Sequence, residues 1–132
     1  MKKIVVNGTF DILHIAHLRM LHYAKTLGDY LLVCIDSDEC VKTLKGDSRP
    51  INHQNDRAEF LYYIDSVDEV KIFNTQEELE DILLHYAADV MVKGSDHKNG
   101  RNTGAKYCKE VIYYDRIPGY STTELIQNSI NR

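Results

Sequence analysis

Lys3-Ile4-Val5-Val6-Asn7-Gly8-Thr9-Phe10-Asp11-Ile12-Leu13-His14-Ile15-Ala16-His17 sets the fold. A short β-branched run stops at a glycine, and residues of helical period follow almost at once. The run from Lys3 to Asn7 predicts a buried strand. Beyond it Ile15, Leu18, Leu21 and Leu27, with Met20 and Ala24, recur at helical spacing, and Gly28 stands where a helix C-cap is expected. A buried strand that turns through glycine into a helix is the opening of a βαβ unit.

Working outward, the pattern repeats. Residues 30–35 form a continuous apolar run, as in a strand covered on both faces. A short helix over 38–44 and a polar loop carrying Lys45, Gly46, Arg49 and Pro50 follow. Further helices are expected over 56–64 and 76–86, and further strands over 69–73, over 89–92 ending at Lys93-Gly94, and over 110–114. A short helix over 103–108 and a closing helix over 121–130, N-capped by Ser121 or Thr122, complete the reading. Strands alternating with helices predict one α/β domain over 1–132, with a Rossmann-like, doubly wound, parallel five-stranded sheet and helices on both faces. Ligands of such sheets bind outside the carboxyl ends of the strands, so Gly8 to Asp11, Asp36, Lys93 to Asp96 and the loop before Ser121 are expected to converge.

Composition narrows the function. The 132 residues are 43% hydrophobic and 27% charged, enough apolar material for a core without staples. A net charge of -4 disfavours a general nucleic-acid binder. Cys34, Cys40 and Cys108 form no CxxC pair, which argues against a disulfide framework or structural zinc, and Cys34 is expected to pack in the core. Met1-Lys2-Lys3 leads into only three apolar residues, too few for a secretory signal, and no run is long enough to span a bilayer. A cytoplasmic protein without membrane or nucleic-acid partners is the expectation.

The chemistry gathers where the first strand meets the first helix. Gly8 permits a tight turn, and free N–H groups at the helix start favour phosphate. His14 and His17, three apart, share a face of the first turn and can donate hydrogen bonds to phosphate oxygens. Two histidines at that spacing also occur on ordinary capped helices. Their place directly after Gly8-Thr9-Phe10-Asp11 makes them specific.

Gly8-Thr9-Phe10-Asp11 followed by His14-x-x-His17 resembles the signature of the cytidylyltransferase-like nucleotidyltransferases with its HxGH motif. Gly119-Tyr120-Ser121-Thr122-Thr123 resembles the ISTT segment of that superfamily, in the expected order and about a domain away. The resemblance covers nearly the whole chain. Leu44-Lys45-Gly46-Asp47-Ser48-Arg49-Pro50 and Val92-Lys93-Gly94-Ser95-Asp96-His97 look like the adenylyltransferase domain of bacterial ADP-heptose synthesis enzymes. Glycerol-3-phosphate cytidylyltransferases share Gly-Thr-Phe-Asp and Val67-Asp68-Glu69-Val70, but usually carry arginine-threonine-glutamate where this chain has Arg116-Ile117-Pro118. The chain departs from HxGH at Ala16, whose methyl group stands where the nucleotide packs on the backbone. A non-catalytic nucleotide-binding module is the reading of another class.

The resemblance implies transfer of a nucleoside monophosphate from a triphosphate to a phosphorylated sugar or polyol, with magnesium as cofactor and a homodimer as a possible assembly. His14, His17 and Lys45 are the expected catalytic groups. Gly8, Thr9, Phe10, Asp11, Lys93, Gly94, Asp96, Tyr120, Ser121 and Thr122 are expected at the nucleotide. Asp36, Asp38, Lys42, Arg49 and Arg57 are expected at the acceptor. Asp11 is expected either to hold magnesium or to order the loop by hydrogen bonds. His22, His53 and His85 are expected to be uninvolved.

Overall fold

A computed structural model describes residues 1–94 and 104–114. Five strands, β1 (Lys3–Gly8), β2 (Tyr30–Asp36), β3 (Glu69–Phe73), β4 (Val90–Gly94) and β5 (Glu110–Tyr114), form one parallel sheet in the order β3-β2-β1-β4-β5. Among the described residues four helices accompany them: α1 (Ile15–Thr26), α2 (Asp38–Lys45), α3 (Gln54–Tyr62) and α4 (Gln76–Tyr86). The expected short helix over 103–108 is a single 3-10 turn, Ala105–Tyr107, and the expected closing helix lies outside the described residues.

Side-chain alternation along the strands divides the core. Ile4, Val6, Leu31, Val33 and Ile35 point to the face covered by Leu21 and Ala24 of α1 and by Ala58 and Leu61 of α3. Val5, Leu32, Cys34 and Met91 point to the opposite face, which Leu79 and Leu83 of α4 cover. Cys34 is wholly buried, and that burial pushes its thiol up to about 12. Helices on both faces explain why the inner strands are apolar throughout rather than alternating.

Local signals place the elements. Ser37 caps α2 by accepting from the Cys40 N–H at 3.2 Å, and Thr75 caps α4 by accepting from the Glu78 N–H at 3.1 Å. Gly28 answers a close approach: a Cβ there would lie 2.7 Å from the Lys2 carbonyl oxygen, against the start of β1. The order β3-β2-β1-β4-β5 reverses direction between β1 and β4, so the crevice of this sheet opens at the carboxyl ends of those two strands.

Candidate active site

The turn after β1 is held in an unusual conformation. Phe10 has φ of 51°, a region that bulky residues avoid. Its ring is buried in the core, and a Cβ on Gly8 would meet that ring at 3.0 Å. Asp11, only 2% exposed, anchors the turn from below. One carboxylate oxygen accepts from the Asn52 N–H at 2.8 Å, the other from Arg49 Nε at 3.0 Å, and both lie within reach of the Ile51 N–H. The Asn52 side chain in turn donates to the Asp11 carbonyl. Burial raises the carboxyl pKa, but the bonds from Asn52, Ile51 and Arg49 outweigh it, and the net shift is downward. These bonds are those of a residue that orders the loop. Its oxygens are directed at N–H donors of the protein and do not fit a magnesium ion.

α1 begins immediately above this anchored turn. His14 occupies the N-cap in extended conformation, and its backbone N–H donates to Nδ1 of His17 at 3.3 Å. The two imidazoles stack with centroids 3.9 Å apart, and the Phe10 ring lies against His17 at 5.2 Å. Burial first, then the charges of His14 and Lys45, lower the His17 pKa to about 4. His17 is thus neutral at physiological pH. A backbone N–H can only donate, so Nδ1 is the accepting nitrogen and the ring proton sits on Nε2. Ala16, between the two, is buried.

Thr9 links this turn to β2. Lys45 Nζ donates to Thr9 Oγ1 at 3.3 Å, and that hydroxyl donates to Asp36 Oδ2, also at 3.3 Å. Desolvation of its ammonium, followed by the nearby Arg49, lowers the Lys45 pKa against the opposing pull of Asp36 and Asp11. Burial raises the pKa of Asp36, against bonds and charges that favour its ionised form. Lys93 is buried at the end of β4, and burial lowers its pKa too. Gly94 closes β4, paired with Tyr114. Asp96, Tyr120, Ser121 and Thr122 lie outside the described residues.

The acceptor group expected from sequence is partly redistributed. Arg57 is 1% exposed, and its guanidinium donates to the carbonyls of Asn52, Thr9 and Asp36 and to the carboxylate of Asp38. With those donors engaged inside the protein, Arg57 does not present itself to an acceptor anion. Asp38 is likewise engaged: Oδ1 accepts from Arg57 at 2.9 Å and from the Gln54 N–H at 2.7 Å. Oδ1 thus ties the start of α2 to the loop before α3, while the side chain remains partly exposed. Arg49 is buried with Nε on Asp11, while Lys42 stands exposed on α2.

Gly8, Thr9, Phe10, Asp11, His14, His17, Asp36 and Lys45 are therefore joined by direct contacts at the carboxyl ends of β1 and β2. Sequence reasoning missed Ile51 and Asn52, which hold Asp11. Their only local signal is Asn52, two residues after Pro50, too weak to show a partner about forty positions away. No group of three or more His, Cys, Asp or Glu side chains among the described residues is arranged to hold a metal ion.

A profile of the family described as Cytidylyltransferase-like matches residues 5–128. The chain is 46% identical over 127 residues to the bifunctional protein HldE of Nitratiruptor sp. and 42% identical over 123 residues to that of Campylobacter fetus. These alignments cover 96% and 93% of the chain, but only 27% of the length of either relative. Among solved structures, the lipopolysaccharide core biosynthesis protein from Thermoplasma volcanium is similar, with a TM-score of 0.67, 25% identity and coverage of 92% of this chain and 99% of that one. A protein of unknown function from Archaeoglobus fulgidus, 18% identical with a TM-score of 0.64 over 92% of this chain and 94% of that one, shares the fold. The turn after β1, the histidine pair above it and these likenesses agree: the chain belongs to the cytidylyltransferase-like family of nucleotidyltransferases.

Proposed function

We propose that this chain transfers adenylate from ATP to a sugar 1-phosphate of the heptose type, giving an ADP-sugar and pyrophosphate. An acceptor phosphate oxygen attacks the α-phosphorus in line, the new P–O bond forms, and the bond to the bridging oxygen breaks as pyrophosphate leaves with its electron pair. Such chemistry needs positioning and charge neutralisation more than a covalent nucleophile. His17 offers a neutral Nε2–H donor of fixed tautomer, His14 stacks beside it, and Lys45 brings a cation over Thr9. Magnesium, carried on the triphosphate, would neutralise part of its charge. Ser121 and Thr122 would add hydroxyl donors from the far end of the chain, and Lys93, Gly94, Asp96 and Tyr120 would contact the nucleotide.

The observation that carries this reading is the His14–His17 stack seated on the anchored Gly8–Asp11 turn, a donor array at a helix start. Adenylate rather than cytidylate rests on the resemblance to ADP-heptose synthesis enzymes and on the HldE relatives, of which this chain spans about a quarter. The test is pyrophosphate release from a panel of nucleoside triphosphates against sugar 1-phosphates and glycerol 3-phosphate. Turnover with ATP and a heptose 1-phosphate is expected. Exclusive use of CTP would transfer the assignment to the cytidylyltransferase branch, and nucleotide binding without turnover on any acceptor would make the chain a binding module.

A further inference from the structure

Arg57 is among the largest wholly buried side chains of the described residues, and it is charged. A buried cation is tolerated only when its donors are satisfied, and the acceptors of Arg57 lie in three stretches of chain, at Thr9, at Asp36 and Asp38, and at Asn52. Nε donates to the Asn52 carbonyl at 2.9 Å. Nη1 donates to the Thr9 carbonyl at 3.0 Å and to the Asp36 carbonyl at 2.8 Å, and Nη2 donates to Asp38 Oδ1 at 2.9 Å. The guanidinium thereby ties the turn after β1, the end of β2, the start of α2 and the loop before α3 to one rigid fork.

One of these bonds reaches the phosphate-binding turn itself. In a trans peptide the C=O and the following N–H point in opposite directions. Holding the Thr9 carbonyl on the guanidinium therefore turns the Phe10 N–H away from it. The positive φ of Phe10, a costly state for an aromatic residue, must be stabilised by its surroundings, and this bond is part of them. We propose that Arg57 is a positioning residue for nucleotidyl transfer, which fixes the Thr9–Phe10 peptide and the neighbouring Asp36–Thr9–Lys45 chain in their phosphate-binding arrangement without touching substrate. The proposal rests on the functional reading above and adds to it a residue that acts from inside the protein.

The test compares the full chain with Arg57→Lys and Asp38→Asn. Lysine keeps the charge but cannot span three carbonyls and a carboxylate. Asp38→Asn leaves Arg57 in place and removes the charge opposite Nη2, so it decides the matter if Arg57→Lys does not fold. Both variants should move the amide resonances of Phe10 and Asp11 in 15N spectra. Arg57→Lys should lower kcat by roughly a hundredfold, the scale expected when reacting groups are displaced by about an ångström, with little change in either KM. Asp38→Asn should lower kcat less. A loss confined to acceptor KM would mean direct contact with substrate and overturn the proposal. So would lowered melting temperatures with Phe10 and Asp11 resonances, kcat and KM all as in the wild type. The spectra need no turnover: a wild type inactive on every acceptor would sink the functional reading, while the amide shifts still decide whether Arg57 sets the turn.

Discussion

The His14 backbone N–H donates to Nδ1 of His17 at 3.3 Å while the two imidazoles stack at 3.9 Å, so the first turn of α1 fixes both the orientation and the tautomer of its second histidine. Protonating His17 would place a second N–H against that amide donor, beside Lys45 and inside a desolvated pocket. The same contacts that fix the ring also keep it neutral.

The first prediction is about pH. The folded pKa of His17, about 4, lies below the ordinary histidine value of 6.5. Between these values the unfolded chain binds more protons at this site than the folded one, so stability falls as pH drops through that window and is fully present above it. Melting temperatures of the wild type and His17→Gln should therefore converge as pH falls from about 6.5 toward 4, because the variant lacks this acid-sensitive term. Parallel curves throughout would show that His17 titrates normally.

His14→Ala and His17→Ala should each reduce turnover by roughly two to three orders of magnitude, the loss typical of a donor aimed at developing charge. Melting curves must show each variant folded. Near-wild-type turnover in both would remove the histidine pair from the mechanism.

Asp11→Asn separates an anchor from a metal ligand. The new amide group would confront Arg49 Nε or a backbone N–H, leaving a buried donor without its acceptor and costing about 2 kcal/mol. Denaturant midpoints should fall accordingly, while the magnesium concentration for half-maximal turnover stays unchanged. A raised magnesium requirement with unchanged stability would reverse this assignment.

Ala16→Gly restores the glycine of the motif. It removes a buried methyl group and adds backbone freedom, so stability should fall by about 1 kcal/mol. Turnover should stay of the same order, because the histidines and the anchored turn are already in place. A large gain in rate would identify the Ala16 methyl as an obstruction to the nucleotide.

The sequence revealed most where local signals and sheet periodicity agree. β3, α4 and β5 lie where their apolar patterns and flanking turn residues placed them. β4 continues to Gly94 because Lys93 and Gly94 pair with Tyr113 and Tyr114, and α3 starts at Gln54, whose N–H donates to Asp38. Neither pairing is visible in a local window. The histidine pair was legible because it sits within four residues of one turn. The work of Arg57 was not: it was expected at the acceptor, whereas its partners at Thr9, Asp36 and Asp38 are 48, 21 and 19 positions away and lie inside the protein. Asp11 was left with two readings, a metal ligand or a backbone anchor, because its partners at residues 49–52 are about forty positions away.

The most direct test is a crystal structure of the full chain with a non-hydrolysable ATP analogue and magnesium. The triphosphate should lie on the Gly8–Asp11 turn, with His17 Nε2 and Lys45 Nζ within hydrogen-bond distance of its oxygens and Asp11 still bonded to Arg49, Ile51 and Asn52. A triphosphate bound elsewhere, or His14 and His17 turned away from it, would contradict the account.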